Sequence, residues 1–207
     1  MAVAEATLEA IKPPATSEQT EVDEVPQAYS QQEFESFASA YPDLRTELTA
    51  EGKLIIMPPA GGDSGRRNSK IATRLGFWSE TDDTGETFDS STGFILPNGA
   101  NHSPDAAWIE RSRWEALSPE QKRKFPPLCP DFVVELRSAS DRLSDVQKKM
   151  REYLDNGVKL GWLIDPISHR VEVYRPKHEV EVLDAPTSVS GEPLLPGFTL
   201  NLKGILE

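Results

Sequence analysis

Glu135 stands inside the apolar run Phe132-Val133-Val134-Glu135-Leu136. An ionised carboxylate buried in such a run is costly unless a cation or a metal ion neutralises it. Arg137 lies two residues on, on the same strand face, so a structural Glu135–Arg137 pair is one solution. A metal site is the other, and it needs a second acid from a different element. Pro104-Asp105 and Pro130-Asp131 offer two. Asp131 and Glu135 share a strand, and at about 3.3 Å per residue their backbones stand roughly 13 Å apart. That is too far to chelate one ion with ligands at about 2.1 Å. Asp105 opens a neighbouring strand and can reach the same point. On the helix expected after Glu135, Leu143, Val146, Met150, Tyr153 and Leu154 form one apolar face at about 100° per residue, with Lys149 at its border and Lys148 pointing away. Lys149 can run its stem along the core and place its ammonium at the sheet edge. Two carboxylates and a lysine around a divalent ion suit phosphodiester hydrolysis: the metal lowers the pKa of a bound water and stabilises the phosphorane's charge, and the lysine orients the nucleophile. Mg²⁺ fits such oxygen ligands, and Mn²⁺ would also fit.

The elements that must position these groups follow from pattern. Ser30, followed by Gln31, Gln32 and Glu33 and by the apolar Phe34 and Phe37, predicts a capped helix ending near Pro42. Segments 44–48 and 53–57 flank Ala50-Glu51-Gly52 as a hairpin. Gly61-Gly62-Asp63-Ser64-Gly65 reads as a flexible loop and N-cap before a helix of about 14 residues bearing Ile71, Leu75 and Trp78. It lacks the Gly-Lys-Ser/Thr of a phosphate-binding loop. Strands are expected at about 86–90, 93–97 and 105–110, and short basic helices at 111–116 and 118–124. Strand 132–136, helix 141–156 and strand 160–165 form a βαβ unit, which favours parallel pairing. Segments 170–175 and 179–183 form a C-terminal hairpin. The fold class is α/β, a mixed sheet flanked by helices, with N- and C-terminal β-hairpins.

Composition bounds the function. Residues 1–29 hold six acids against one base together with three prolines, and are expected to be a disordered acidic tail preceding one domain, residues 30–207. No leader pattern and no membrane-length apolar span is visible, so a soluble cytoplasmic protein is expected. Cys129 is the single cysteine, which excludes disulfide frameworks and thiolate metal cages. His102, His169 and His178 show no metal-ligand spacing, and the last two are expected on turns. The net charge of −12 is awkward for a nucleic-acid reader, because phosphate neutralisation supplies most non-specific affinity. Any DNA-binding face must be local. The clusters Arg66, Arg67, Lys70, Arg74 and Arg111, Arg113, Lys122, Arg123, Lys124 are candidates, and a solvated helix face is the equal alternative for each.

Gly65-Arg66-Arg67-Asn68, Phe88-Asp89-Ser90-Ser91-Thr92-Gly93-Phe94, Ser103-Pro104-Asp105, Pro130-Asp131 through Ser138, Lys149-Met150-Arg151-Glu152-Tyr153 and Gly161-Trp162-Leu163-Ile164-Asp165-Pro166 occur in this order. With these blocks the chain, over about residues 30–205, resembles the bacterial family of restriction endonucleases called Uma-two, in the PD-(D/E)xK nuclease superfamily. The resemblance implies a restriction-endonuclease-like fold and a Mg²⁺-dependent DNA endonuclease. It implies Asp105, Glu135 and the backbone carbonyl of Leu136 as metal ligands, and Lys149 as the catalytic lysine. It adds Arg66, Arg67, Asn68 and Arg137 as candidate nucleic-acid contacts, and a homodimer, the common form in the superfamily. In the superfamily pattern the lysine lies two residues after the second acid, where this chain has Arg137; arginine cannot accept a proton. The acid often found on the first core helix is here only Glu80, at that helix's end. A non-catalytic nucleic-acid- or protein-binding member of the fold is the alternative, and a regulatory protein acting through its acidic tail is a third.

Overall fold

The computed structural model describes residues 28–207. The expected disordered tail therefore lies outside the described residues except at its end. There Tyr29 donates its N–H to the Gly52 carbonyl at 2.8 Å and meets Phe37 edge-on, so this residue belongs to the folded part.

Helix α1 (Gln31–Ala40) starts where a capping box sets it: the Ser30 side chain accepts from the Glu33 N–H, and the Glu33 carboxylate accepts from the Ser30 N–H. The hairpin of β1 (Arg45–Leu48) and β2 (Leu54–Met57) follows. Helix α2 (Gly62–Asp82) is 21 residues long. The stretch Gly62–Gly65, expected as a loop, is its first turn, with Gly61 as N-cap. Glycine opposes helix by only about 1 kcal/mol per residue, and tertiary contacts of the same helix, described below, override that preference.

Strands β3 (Gly85–Asp89), β4 (Phe94–Ile95), β5 (Asn101–His102) and β6 (Ala106–Glu110) come next. Helices α3 (Arg111–Glu115) and α4 (Pro119–Arg123) lead to β7 (Phe132–Leu136). Helix α5 (Leu143–Asp155), β8 (Leu160–Asp165), β9 (Arg170–Tyr174) and β10 (Glu181–Asp184) complete the main body. A last hairpin, β11 (Ser188–Ser190) with β12 (Thr199–Asn201), was not foreseen from the sequence, nor was the two-residue β5.

The main sheet has six strands in the order β10-β9-β8-β7-β6-β3, and only β7–β8 pair in parallel, as the βαβ pattern predicts. The expected C-terminal hairpin is β9–β10, at one edge of this sheet. All five residues of β7 and all six of β8 are buried, and alternation divides them between two cores. Phe132, Val134, Leu136, Trp162 and Ile164 pack with Ile71 and Leu75 of α2 and with Phe198, Leu200 and Ile205. Val133 and Leu163 pack with Met150 and Tyr153 of α5. A second sheet, β2-β1-β5-β4, brings Leu48 opposite Asn101. No helix among the described residues is long and apolar enough to cross a membrane.

Candidate active site

Glu135 is an odd-numbered residue of β7, so the pleat turns it to the α5 face. There it is 7% exposed. Its Oε1 accepts from Lys149 Nζ at 2.9 Å and from the Tyr153 hydroxyl at 2.9 Å. Lys149 and Tyr153 are four apart on α5 and therefore share one face. As helical phase predicts, it is Lys149 that turns inward to Glu135, while Lys148 pairs with exposed Asp145. Arg137, the alternative partner of Glu135, reaches Asp165 at 2.9 Å and the Asp141 carbonyl, so no Glu135–Arg137 pair exists.

Asp105 lies just before β6. Its Oδ2 accepts the Leu136 N–H at 2.7 Å, and its Oδ1 accepts the Asn68 side-chain amide at 2.5 Å. In an extended strand a residue's N–H and C=O point to the same edge, so the Leu136 carbonyl faces the Asp105 side of β7. Asp131 takes the part that its distance from Glu135 requires. It is fully buried, accepts the Glu110 N–H, and pairs with Arg113 at 2.8 Å and Lys159 at 2.9 Å, tying β6, α3 and the start of β8 together.

Two members of the cluster were missed. Glu47 of β1 is buried and accepts from Lys149 at 2.8 Å and from the Ser103 N–H at 2.8 Å. His102 of β5 lies 3.1 Å from Glu47 and 3.0 Å from Glu152. In Arg45-Thr46-Glu47-Leu48 the glutamate looks like the outward residue of an amphipathic hairpin, and nothing local betrays its burial. His102 carried a usable signal, since it stands three residues before Asp105.

The electrostatics follow from this crowding. Burial pushes Glu135 up to about 7, Asp105 and Glu47 push the same way, and Lys149 opposes them. Burial also raises Asp105, against the Leu136 N–H and Asn68. At Glu47 burial is outweighed by Lys149 and His102, which hold it down at about 2. Burial disfavours the Lys149 ammonium, yet Glu135 and Glu47 hold its pKa above the ordinary lysine value. Buried Glu47 and Glu135, with partly buried Asp105 beside them, thus meet one ammonium and a histidine, an excess of negative charge that a hard cation can balance. Among the described residues no three of His, Cys, Asp and Glu form a ready-made cage. The expected ligands, Asp105, Glu135 and the Leu136 carbonyl, would suit only an ion that keeps several waters.

A family model described as "Putative restriction endonuclease" matches residues 31–203. The chain belongs to the Uma2 family. Among solved structures, the Uma2 chain is similar to a crystal structure described as a "putative nuclease belonging to DUF820" from Anabaena variabilis ATCC 29413. The two share 24% identity with a TM-score of 0.70, over 86% of this chain and 97% of that one. The fold is restriction-endonuclease-like. No curated protein matches the chain.

The basic clusters of this Uma2 domain are mostly engaged internally. Arg66 donates to the Gly204 carbonyl, Arg67 to that of Glu207, and Arg74 to those of Asn201 and Lys203, so α2 clamps the segment after β12. Asn68, on the same helix, faces Asp105. In the second cluster Arg111 pairs with Asp83, Arg113 with Asp131 and Lys124 with Glu120, and Lys122 lies over Trp114.

Proposed function

We propose that the chain is a divalent-metal-dependent endonuclease that hydrolyses phosphodiester bonds of DNA. In this reading Asp105, Glu135 and the Leu136 carbonyl hold Mg²⁺ or Mn²⁺, and Lys149 faces the reacting phosphate. One observation carries it: partly buried Lys149 and buried Glu135 form a 2.9 Å pair beside Asp105, in a cluster with more carboxylate than cation. When bound, the metal would lower the pKa of a water and stabilise phosphoryl charge.

The chain's own groups set the rest. The Leu136 N–H and Asn68 fix both oxygens of Asp105, and Tyr153 and Lys149 fix Oε1 of Glu135. Held between Glu47 and Glu135, Lys149 keeps its proton. It therefore acts as a cation, orienting the attacking water and offsetting charge on the phosphorane, rather than as the base. This role needs no lysine at position 137, which frees Arg137 to hold Asp165. A homodimer would present two such sites, one for each strand of a duplex.

Supercoiled plasmid incubated with purified protein and Mg²⁺ or Mn²⁺ tests the reading. Nicking is expected, with losses of about 10²-fold or more in Asp105→Ala, Glu135→Ala and Lys149→Met, the scale of removing one transition-state contact. Absence of nicking, or equal nicking by all three variants, would sink it. A second reading, a non-catalytic nucleic-acid- or protein-binding module, is favoured by the net charge of −12 and by the internal use of Arg66, Arg67 and Arg74. Calorimetry showing no Mn²⁺ binding that depends on Asp105 and Glu135 would move the assignment there.

A further inference from the structure

His102 has no part in the chemistry proposed above, yet it is the most enclosed of the three histidines, 4% exposed. It stands on β5 opposite Glu47 of β1, one step along the register that pairs Leu48 with Asn101. Its Nδ1 faces Glu47 Oε2 at 3.1 Å and its Nε2 faces Glu152 Oε2 at 3.0 Å. The ring meets Tyr153 edge-on at 5.6 Å. The charged and titratable groups around it are thus Glu47 from β1 and Lys149, Glu152 and Tyr153 from α5.

A carboxylate only accepts hydrogen bonds, and a neutral imidazole has one N–H. A neutral ring would leave one nitrogen lone pair against a carboxylate in a place water barely reaches. Two carboxylates at hydrogen-bond distance therefore call for a ring protonated on both nitrogens. We propose that His102 is a buried imidazolium and a positioning residue, which fixes Glu47 and, through Glu47, holds Lys149 against Glu135.

This inference rests on the reading of Lys149 as the cation of the site. Contacts run without a break from partly exposed Glu152 through His102 at 3.0 Å, Glu47 at 3.1 Å and Lys149 at 2.8 Å to Glu135 at 2.9 Å. Glu47 Oε1 serves Lys149 and the Ser103 N–H, while Oε2 meets only His102 among the described residues. Without His102 that oxygen is buried and unpaired, so Glu47 must take up a proton or swing away. Either response weakens its hold on the ammonium. Although burial works against the ring's charge, the bonds to Glu152 and Glu47 raise its pKa above the ordinary histidine value.

Nitrogen-15 NMR of the full-length protein tests the proposal at two points, neither of which depends on cleavage. At about pH 7, near the ordinary histidine range, both ring nitrogens of His102 are expected at protonated shifts; one unprotonated nitrogen overturns the proposal. The second point is the Lys149 ammonium signal, identified by its loss in Lys149→Met. His102→Asn keeps an amide donor near the Nδ1 position, toward Glu47, and His102→Gln keeps one near Nε2, toward Glu152. The asparagine variant is expected to retain the slowly exchanging ammonium signal, and the glutamine variant to speed its exchange about tenfold or more. Equal behaviour of the two variants overturns the proposal. If plasmid nicking is observed, its rate should follow the ammonium signal; if the chain does not cut DNA, both NMR results stand on their own.

Discussion

A tyrosine hydroxyl aimed at a buried carboxylate decides whether that carboxylate has one fixed position or several. Tyr153 donates to Glu135 at 2.9 Å, and both are buried. Tyr153→Phe is expected to cost about 1.5–3 kcal/mol, the usual worth of a hydrogen bond to a charged group, read as a lower urea midpoint with unchanged slope. Asp131 gives a pH-dependent counterpart. Burial opposes its charge, but the Glu110 N–H, Lys159 and Arg113 hold its pKa below the ordinary aspartate value. Its contribution is complete above the unfolded-state pKa of about 3.9 and is lost as pH falls through the lower folded value. Asp131→Asn should therefore be less stable than the parent by about 1–3 kcal/mol near pH 6, with the gap closing as both are acidified. A gap independent of pH would refute this account. At this scale the sequence reveals groups that contradict their surroundings. Glu135 in an apolar strand and Lys149 at the edge of an apolar helix face are of that kind. Glu47 is not, because its burial is created by a contact with a residue 102 positions away.

Elements obey local rules where those rules are strong. The capped start of α1 at Ser30 and the βαβ unit stand where the pattern puts them. The exceptions are short or are held by distant partners. Strand β5 has two residues and β11–β12 three each, too few for alternation to register. Helix α2 begins three residues before Gly65 because its arginines grip the far end of the chain. Two glycines separate these effects. Gly76 lies inside α2, and a Cβ there meets only Thr87 Oγ1, at 3.9 Å, so Gly76→Ala should stabilise by about 0.5–1 kcal/mol. On β3, a Cβ at Gly85 would run into the Ile109 carbonyl and the Trp108 ring. Gly85→Ala should cost about 1–3 kcal/mol through overpacking. Thermal melts of the two variants should move in opposite directions.

Across the whole molecule, composition and structure agree on an economy of positive charge. The net charge is −12, and the arginines of α2 spend their donors on backbone carbonyls near Gly204 and Glu207. Arg74→Ala should therefore lower the urea midpoint while leaving the salt dependence of DNA affinity almost unchanged. Anisotropy titrations with Ca²⁺ in place of Mg²⁺ would measure this. A change of about 0.9 in the slope of log K against log salt would mean that Arg74 contacts a phosphate after all. Composition announced the scarcity of free cations, but where the arginines would go depended on a segment about 130 residues downstream.

The separation between Glu47 and Lys149 also bears on how the protein is made. Long-range pairings form late, since loop closure precedes any reward from the contact. The chain must have extended through α5 and folded back onto β1 before the ammonium is anchored on both sides. A growing polypeptide carries Glu47 102 residues before it carries Lys149, so the centre is completed only by docking two distant parts of the domain. Whatever chemistry the site performs is thereby withheld until α5 has been made and has docked against β1.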